Sequence, residues 1–367
     1  VSTLVVSDLH LGAHTRADVA RRRELRTPLL EAIAPVDELV LLGDVFELRD
    51  GPLASALEAG REFFKDVGAA LSGRRVVIVP GNHDYQLIAP WLEVRRARGD
   101  HMGLEERVSP ADASPAAARV ADWLGDAELE LAYPGLWLRP DVYATHGHYL
   151  DLHISVPSFE RLGARVVDRI VRGGEGGLRG PEHYEATLSP IYALLNEVAQ
   201  VAPDRGTGGS GASERAWGVL AGDGRRRIPR PMQLALLGAW PLAIAGLRRA
   251  GLGPLSADLS GPALRRAAVT AMGEVIEALG VDAEYVIFGH THRAGPFAPR
   301  DDPADWRTPD GTHLVNSGCW IYSPTFLTGV PNESPYWPGV SVHVGAEGPP
   351  RLERLLHYWT HADLRRA

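Results

Sequence analysis

The sequence predicts an α/β fold: a two-sheet β-sandwich flanked by helices and interrupted by a helical cap insertion. Three observations predict it. Short apolar runs rich in Val, Ile and Leu alternate with longer stretches of helical periodicity through the first part of the chain. Beyond residue 292 the pattern turns to strands, at Thr312–Val315, Val340–Val344 and Leu352–Trp359. Between His146 and His290 lie 143 residues, where one helix and one strand would suffice to connect two positions in a sheet.

The strand runs are Leu4–Ser7, Leu39–Leu42, Val76–Val79, Val142–Thr145 and Tyr285–Phe288. Each is short, β-branched and bounded by Gly and polar residues, as buried strands are. Arg16–Ala34 and Leu53–Leu71 carry apolar residues at helical spacing and suit the crossovers of a β-α-β layout. Pro90–Arg98 and Ala116–Leu124 are shorter helices, the second started by Ser114-Pro115, and Ala263–Leu279 is a further amphipathic helix. The chain therefore divides into a first core segment over 1–151, a helix-rich insertion over 152–262 and a second core segment over 263–367.

A polar motif follows each of the five strands: Asp8-Leu9-His10, Gly43-Asp44, Gly81-Asn82-His83-Asp84, His146-Gly147-His148 and Gly289-His290-Thr291-His292. Loops at the carboxyl ends of strands are where open α/β sheets bind ligands. Asp8, His10, Asp44, Asn82, His146, His290 and His292 offer two carboxylates, one amide oxygen and four imidazoles, a set suited to two metal ions. Mixed N/O ligation without thiolates favours Mn, Fe, Zn, Co or Ni over Ca or Mg. Each motif alone is weak; five in order, each at a strand end, form a strong signal.

With these motifs the chain resembles the calcineurin-like metallophosphoesterases, whose pattern is Asp-x-His, Gly-Asp, Gly-Asn-His-Asp/Glu, a lone His and Gly-His-x-His. The resemblance covers about residues 1–150 and 280–325. It implies that Asp8, His10 and His292 hold one metal, that Asn82, His146 and His290 hold the other, and that Asp44 bridges them. It makes His83 a non-ligand catalytic residue facing the phosphate, oriented by Asp84. The opening Asp8-Leu9-His10-Leu11-Gly12 is nearest in style to the UDP-2,3-diacylglucosamine pyrophosphatase-like branch, which usually has Arg where this chain has His83. The implied reaction is hydrolysis of a phosphoester or pyrophosphate by a hydroxide bridging two divalent cations, Mn²⁺ being the expected metal. His83 would supply a proton to the leaving oxygen.

Composition sets the outer bounds. Hydrophobic residues at 45% and charged residues at 23% describe a globular protein. A formal charge of -8 argues against a nucleic-acid partner. Arginine supplies all the basic residues except Lys65, which reads as compositional bias. Cys319 is the only cysteine, so no intrachain disulfide forms, and a buried inert thiol is expected. The sequence shows no secretory signal pattern, and a cytoplasmic location, peripheral to the membrane at most, is the expectation.

Within the insertion, Gly173–Gly180 and Pro203–Gly211 read as loops, and Arg225-Arg226-Arg227, Arg230 and Arg248-Arg249 flank the apolar Met232–Leu247. That segment is too short to span a bilayer. It reads either as a buried helix pair bent at Trp240-Pro241, or as a lid facing a lipid-like substrate or the membrane interface. The expected substrate is accordingly an amphiphilic or nucleotide-linked phosphate compound, with no obligate protein partner. The alternatives are a small-molecule phosphodiesterase or nucleotide phosphatase, and a non-catalytic scaffold. Lesser candidates are His148 as an orienting or substrate-contacting residue, His14 and His153 as structural ones, and Arg165, Arg169 and Arg172 as a solvated helix face. The turn Asn316-Ser317-Gly318 is a candidate for lining the pocket.

Overall fold

A computed structural model describes residues 1–153, 180–201, 261–298, 300–324, 327 and 330–365. Its strands, in chain order, are β1 Thr3–Val6, β2 Glu38–Leu41, β3 Arg75–Ile78, β4 Glu105–Val108, β5 Glu128–Arg139, β6 Val142–Thr145, β7 Tyr285–Phe288, β8 His313–Asn316, β9 Val340–Val344 and β10 Arg351–Arg354. They follow one hydrogen-bonded path, β10-β9-β1-β2-β3-β5-β6-β7-β8, with β4 beside β5.

The long β5 turns this path into two sheets. Its first half, Glu128–Leu131, pairs in parallel with β3, while Gly135–Arg139 pairs antiparallel with β6. The first sheet has β1, β2 and β3 parallel, with β9 antiparallel to β1. The second has β6, β7 and β8 parallel.

Alternation along the strands explains why the runs are apolar throughout. Val5, Val40 and Val77 of the first sheet join Ala144, Ile287 and Val315 of the second in a core made of strand residues and the two that directly follow β2 and β3, Leu42 and Val79, the filling of the sandwich. Their neighbours Leu4, Val6, Leu39, Leu41, Val76 and Ile78 point the other way, into the larger core shared with the helices. Strands buried on both faces lose the polar half of the pattern, and each such side chain contributes roughly 1.5–3 kcal/mol.

The helices are α1 Arg23–Ile33, α2 Leu53–Ala70, α3 Ala89–Arg98, α4 Pro110–Ala113, α5 Pro115–Leu124, α6 Gly180–Val201 and α7 Gly261–Leu279. Leu25, Leu29 and Ile33 of α1 and Leu57, Phe64 and Val67 of α2 face the first sheet. Ser114 starts α5 as expected, its hydroxyl accepting the Ala117 N–H at 3.1 Å. Two differences from the sequence reading stand out. The last strand stops at Arg354, and Leu355–Trp359 turns away. β4 and the start of β5 carry no apolar run: β4 is Glu-Glu-Arg-Val, and β5 opens with Glu128, Leu129, Glu130, Leu131, of which only Leu131 is buried.

Of the segment between β6 and β7, α6 and α7 are described. Met232–Leu247, the flanking arginines, both Gly-rich loops and Arg165, Arg169 and Arg172 lie outside the described residues, apart from Gly180 at the start of α6. No helix among the described residues is long and apolar enough to cross a membrane.

Candidate metal centre

The five motif loops lie against one another through backbone hydrogen bonds. The segment after β1 runs beside the one after β2, with Asp8 N–H to Gly43 O at 3.0 Å and His10 N–H to Asp44 O at 2.8 Å. Gly289 N–H reaches His146 O at 2.9 Å, and Trp320 N–H reaches Asp8 O at 2.9 Å. Close approach needs the motif glycines. A Cβ on Gly43, whose φ is +81°, would sit 2.2 Å from His146 Nδ1, and one on Gly289 would sit 2.5 Å from Asp8 Oδ2.

The ligand residues themselves adopt left-handed backbone. Among the described residues six non-glycine positions have positive φ, and five of them are Asp8 (54°), His10 (47°), Asp44 (50°), His290 (65°) and His292 (58°). Such conformations cost of order 1–3 kcal/mol each and cluster at functional sites. Here they turn consecutive side chains off the strand ends towards one point.

Each carboxylate divides its oxygens between backbone and cluster. Asp8 Oδ2 accepts the His290 N–H at 3.0 Å, leaving Oδ1 3.2 Å from His292 Nε2. Asp44 Oδ1 accepts the His83 N–H at 2.8 Å, leaving Oδ2 3.2 Å from His146 Nε2 and 3.8 Å from His10 Nε2. His10 Nε2 is 3.2 Å from His292 Nε2, and Asn82 Oδ1 is 3.3 Å from His146 Nε2. Donor atoms of Asp8, His10 and His292 lie within 4.8 Å of one another, as do those of Asp44, His146 and His290, and those of His10, Asp44 and His83. The third group shares two members with the others, so all three belong to one centre.

Buried partners set which imidazole nitrogens face inward. His10 Nδ1 bonds Glu47 Oε2 at 2.9 Å, His146 Nδ1–H donates to Leu42 O at 2.9 Å, and His290 Nε2 meets Asp151 Oδ1 at 3.0 Å. Such contacts fix tautomer and ring orientation in metal sites. They leave Nε2 of His10, Nε2 of His146 and Nδ1 of His290 for a ligand. Asp8 Oδ1 and His290 Nδ1 are buried without a hydrogen-bond partner. Oxygen and imidazole donors gathered at this spacing, two of them orphaned, fit divalent cations.

The electrostatics agree. Burial works against charge on His10, yet its bond to Glu47 and the nearby Asp44 raise it to about 9. Burial likewise opposes charge on His146, and Asp44 raises it to about 10. Burial would lift the Asp44 carboxyl, but His146 and His83 bring it well below the ordinary carboxylate range. With no cation bound, the carboxylates hold protons on these two histidines; a cation supplies the same positive charge and displaces them.

All seven predicted ligands converge here. The orienting role expected of Asp84 is corrected: its Oδ1 accepts the Gly81 N–H at 2.6 Å and its Oδ2 the Val45 N–H at 2.7 Å. Asp84 ties the loops after β2 and β3, and burial with the Asp44 charge raises it to about 6. The carboxylate that holds His83 is Glu47, with Oε1 2.8 Å from Nδ1. Glu47 is 2% exposed and grips both His10 and His83. The sequence reading missed it, although its place three residues after Asp44 was a usable signal. Asp151, five residues after His146, was missed for the same reason.

His148 is buried beside His146, with ring centroids 5.6 Å apart. His153 joins Glu274 and Tyr184, a structural role. Asn316 and Ser317 are fully buried and brace loops: Asn316 Nδ2 donates to Gly289 O and Thr291 Oγ1, and Ser317 Oγ lies 2.7 Å from Ser7 Oγ. Cys319 is buried, and burial pushes its thiol up to about 12.

A two-sheet sandwich with a buried cluster of carboxylate, amide and imidazole donors at its strand ends defines a metal-dependent hydrolase. The family model described as calcineurin-like phosphoesterase matches residues 1–176, which carry four of the five motifs. The matched part, residues 1–176, is that of a calcineurin-like phosphoesterase, and the chain is a metal-dependent phosphoester hydrolase. Comparison with curated proteins gives no match. Among solved structures, a dimetal phosphatase from Danio rerio is similar at 12% identity and TM-score 0.36, over 94% of this chain and 93% of that one. A cold-active protein-tyrosine phosphatase of a psychrophilic Shewanella aligns at 12% identity and TM-score 0.27, over 94% of this chain and 75% of that one.

Proposed function

We propose that the chain hydrolyses a phosphoester or pyrophosphate bond at a dinuclear centre in which Asp44 is shared by two cations. The observation that carries this reading is the position of Asp44 Oδ2 between His146 Nε2 at 3.2 Å and His10 Nε2 at 3.8 Å, imidazoles of two different donor groups. Asp8, His10 and His292 would hold one cation and Asn82, His146 and His290 the other. Divalent cations bound there would lower the pKa of water and offset charge on phosphoryl oxygens; Mn²⁺ is the proposed metal.

The chain's own residues supply the rest. His83 lies at the rim of the centre, its side chain 13% exposed against 2% for Asp44. Its Nδ1 is held by Glu47, so Nε2 is the atom free to meet a leaving oxygen. Burial disfavours its charged form, but Glu47 and Asp44 raise it above the ordinary histidine value, so it carries a proton to donate. Such proton donation is worth roughly 10²–10⁴ in rate. Asn82 contributes a neutral oxygen, which keeps the loaded centre cationic toward an anionic substrate.

The proposed substrate is amphiphilic or nucleotide-linked. Support comes from the sequence of the segment between β6 and β7, where Met232–Leu247 is apolar and bordered by arginines. A cytoplasmic protein making peripheral membrane contact through that segment fits the same reading. The experiment is a screen of Mn²⁺-loaded protein against phosphomonoesters, phosphodiesters, nucleotide sugars and phosphorylated lipids. Hydrolysis that favours acylated or nucleotide-linked compounds is expected. Preference for a small soluble diester would replace the amphiphilic assignment, and no hydrolysis of any class would make the fold a scaffold.

A further inference from the structure

We propose that Glu185 is a positioning residue for the Asn82–His146–His290 half of the centre, holding it through three tyrosines. The inference rests on the reading above that this half binds a cation.

Glu185 stands on α6 and is 4% exposed. Its Oε1 accepts the hydroxyls of Tyr133 at 2.5 Å and Tyr149 at 2.7 Å; its Oε2 accepts those of Tyr85 at 2.9 Å and Ser189 at 2.8 Å. Four donors saturate the carboxylate, which is how a buried charge is tolerated away from water.

The origin of the tyrosines gives the cluster its meaning. Tyr85 lies three residues after Asn82, and Tyr149 three residues after His146. Tyr133 belongs to β5, whose second half pairs with β6, the strand leading into His146. Because Tyr133 gives its proton to Glu185, its oxygen can accept from His148 Nε2 at 3.3 Å. The His148 ring packs on His146 at 5.6 Å. One carboxylate thus fixes both loops that supply Asn82 and His146, and the tautomer of the imidazole packed against the latter.

Among the described residues Glu185 makes no hydrogen bond to Asp8, His10 or His292, so its influence should be one-sided. Supporting contacts behind metal ligands typically govern 10–100-fold in affinity. A carboxylate kept only to anchor α6 would be costly for that purpose, since apolar residues of similar volume replace buried charge at little or no loss of stability.

The test titrates metal-free, full-length protein with Mn²⁺ by calorimetry, comparing wild type, Glu185→Gln, Asn82→Ala and Tyr133→Phe. Glutamine keeps the shape but cannot accept four hydroxyl protons. In Glu185→Gln one of two Mn²⁺ affinities should fall 10–100-fold, the one that also falls in Asn82→Ala, while the other stays at the wild-type value. Tyr133→Phe removes the single hydroxyl between Glu185 and His148 and should repeat the effect more weakly, which keeps the test valid if Glu185→Gln does not fold. Two wild-type affinities in both Glu185→Gln and Tyr133→Phe, or an equal fall of both affinities, would overturn the assignment, even if melting temperature drops. Fewer than two ions on the wild-type chain would instead overturn the dinuclear reading beneath it.

Discussion

Glu47→Gln is the sharpest perturbation of this centre that preserves side-chain size. Glu47 Oε2 holds His10 Nδ1 at 2.9 Å, and Oε1 holds His83 Nδ1 at 2.8 Å and the Arg49 N–H at 3.1 Å. Glutamine has one acceptor oxygen, so its NH₂ must face one of the two imidazoles. That ring would have to move its proton to Nε2 and accept the amide N–H, losing either the lone pair that His10 offers a cation or the carboxylate that favours a protonated His83. The surroundings of His10 raise it from 6.5 to about 9, with its bond to Glu47 the leading favourable cause against burial. A shift of that size corresponds to about 3 kcal/mol in total, and a hydrogen bond to a charged group is worth about 1.5–3 kcal/mol of it. At about 1.4 kcal/mol per factor of ten, that is roughly 10–100-fold in affinity at the His10 position. The assay pairs Mn²⁺ titration with turnover of a nitrophenyl phosphate ester. Glu47→Gln should weaken one ion by that factor and lower turnover about 10²-fold or more. Two ions at wild-type affinity with turnover within about threefold of wild type would refute this argument.

Three further outcomes are expected. His83→Ala should keep both ions and lose about 10²-fold in turnover, less on a nitrophenyl ester than on an alkyl ester; equal losses would argue against proton donation, and loss of an ion would make His83 a ligand. His10 and His146, at about 9 and about 10 without metal, stabilise the metal-free fold fully below about pH 6.5, and that contribution is lost as pH rises through those values. Between pH 7 and 9 the melting temperature of chelator-treated protein should therefore fall while Mn²⁺ affinity rises, with proton release measurable by calorimetry in buffers of different ionisation enthalpy; binding without proton release would contradict the assignment. Gly43→Ala, at φ +81° and with its Cβ directed to within 2.2 Å of His146 Nδ1, should lose folded protein or metal as judged by circular dichroism and metal content; a variant with wild-type metal content would show that the loop can yield.

The sandwich and its ligands were legible because burial on both faces leaves an apolar signature in each of β1, β2, β3, β6 and β7, with the donors directly behind it. What the sequence hid is what depends on distant partners. Glu47 stands in Glu47-Leu48-Arg49-Asp50, a tract that looks solvated, and only the approach of His10 and His83 buries it. Glu185 reads as one more polar position on a helix until tyrosines from three other segments meet it. β5, which joins the two sheets, opens on alternating glutamates and has its apolar residues interrupted by Pro134-Gly135, so no unbroken run marks it. Asp84 was visible as a motif residue, yet its partners are backbone N–H groups, which no side-chain pattern announces.

The central claim is that Asp44 is shared between two cations. Metal analysis of wild type and Asp44→Ala after chelation and reloading with Mn²⁺, with turnover measured on the same samples, tests it most directly. Two ions per wild-type chain, and the loss of both together with all measurable turnover in Asp44→Ala, is the expected result. Two ions retained at wild-type affinity in Asp44→Ala would contradict it.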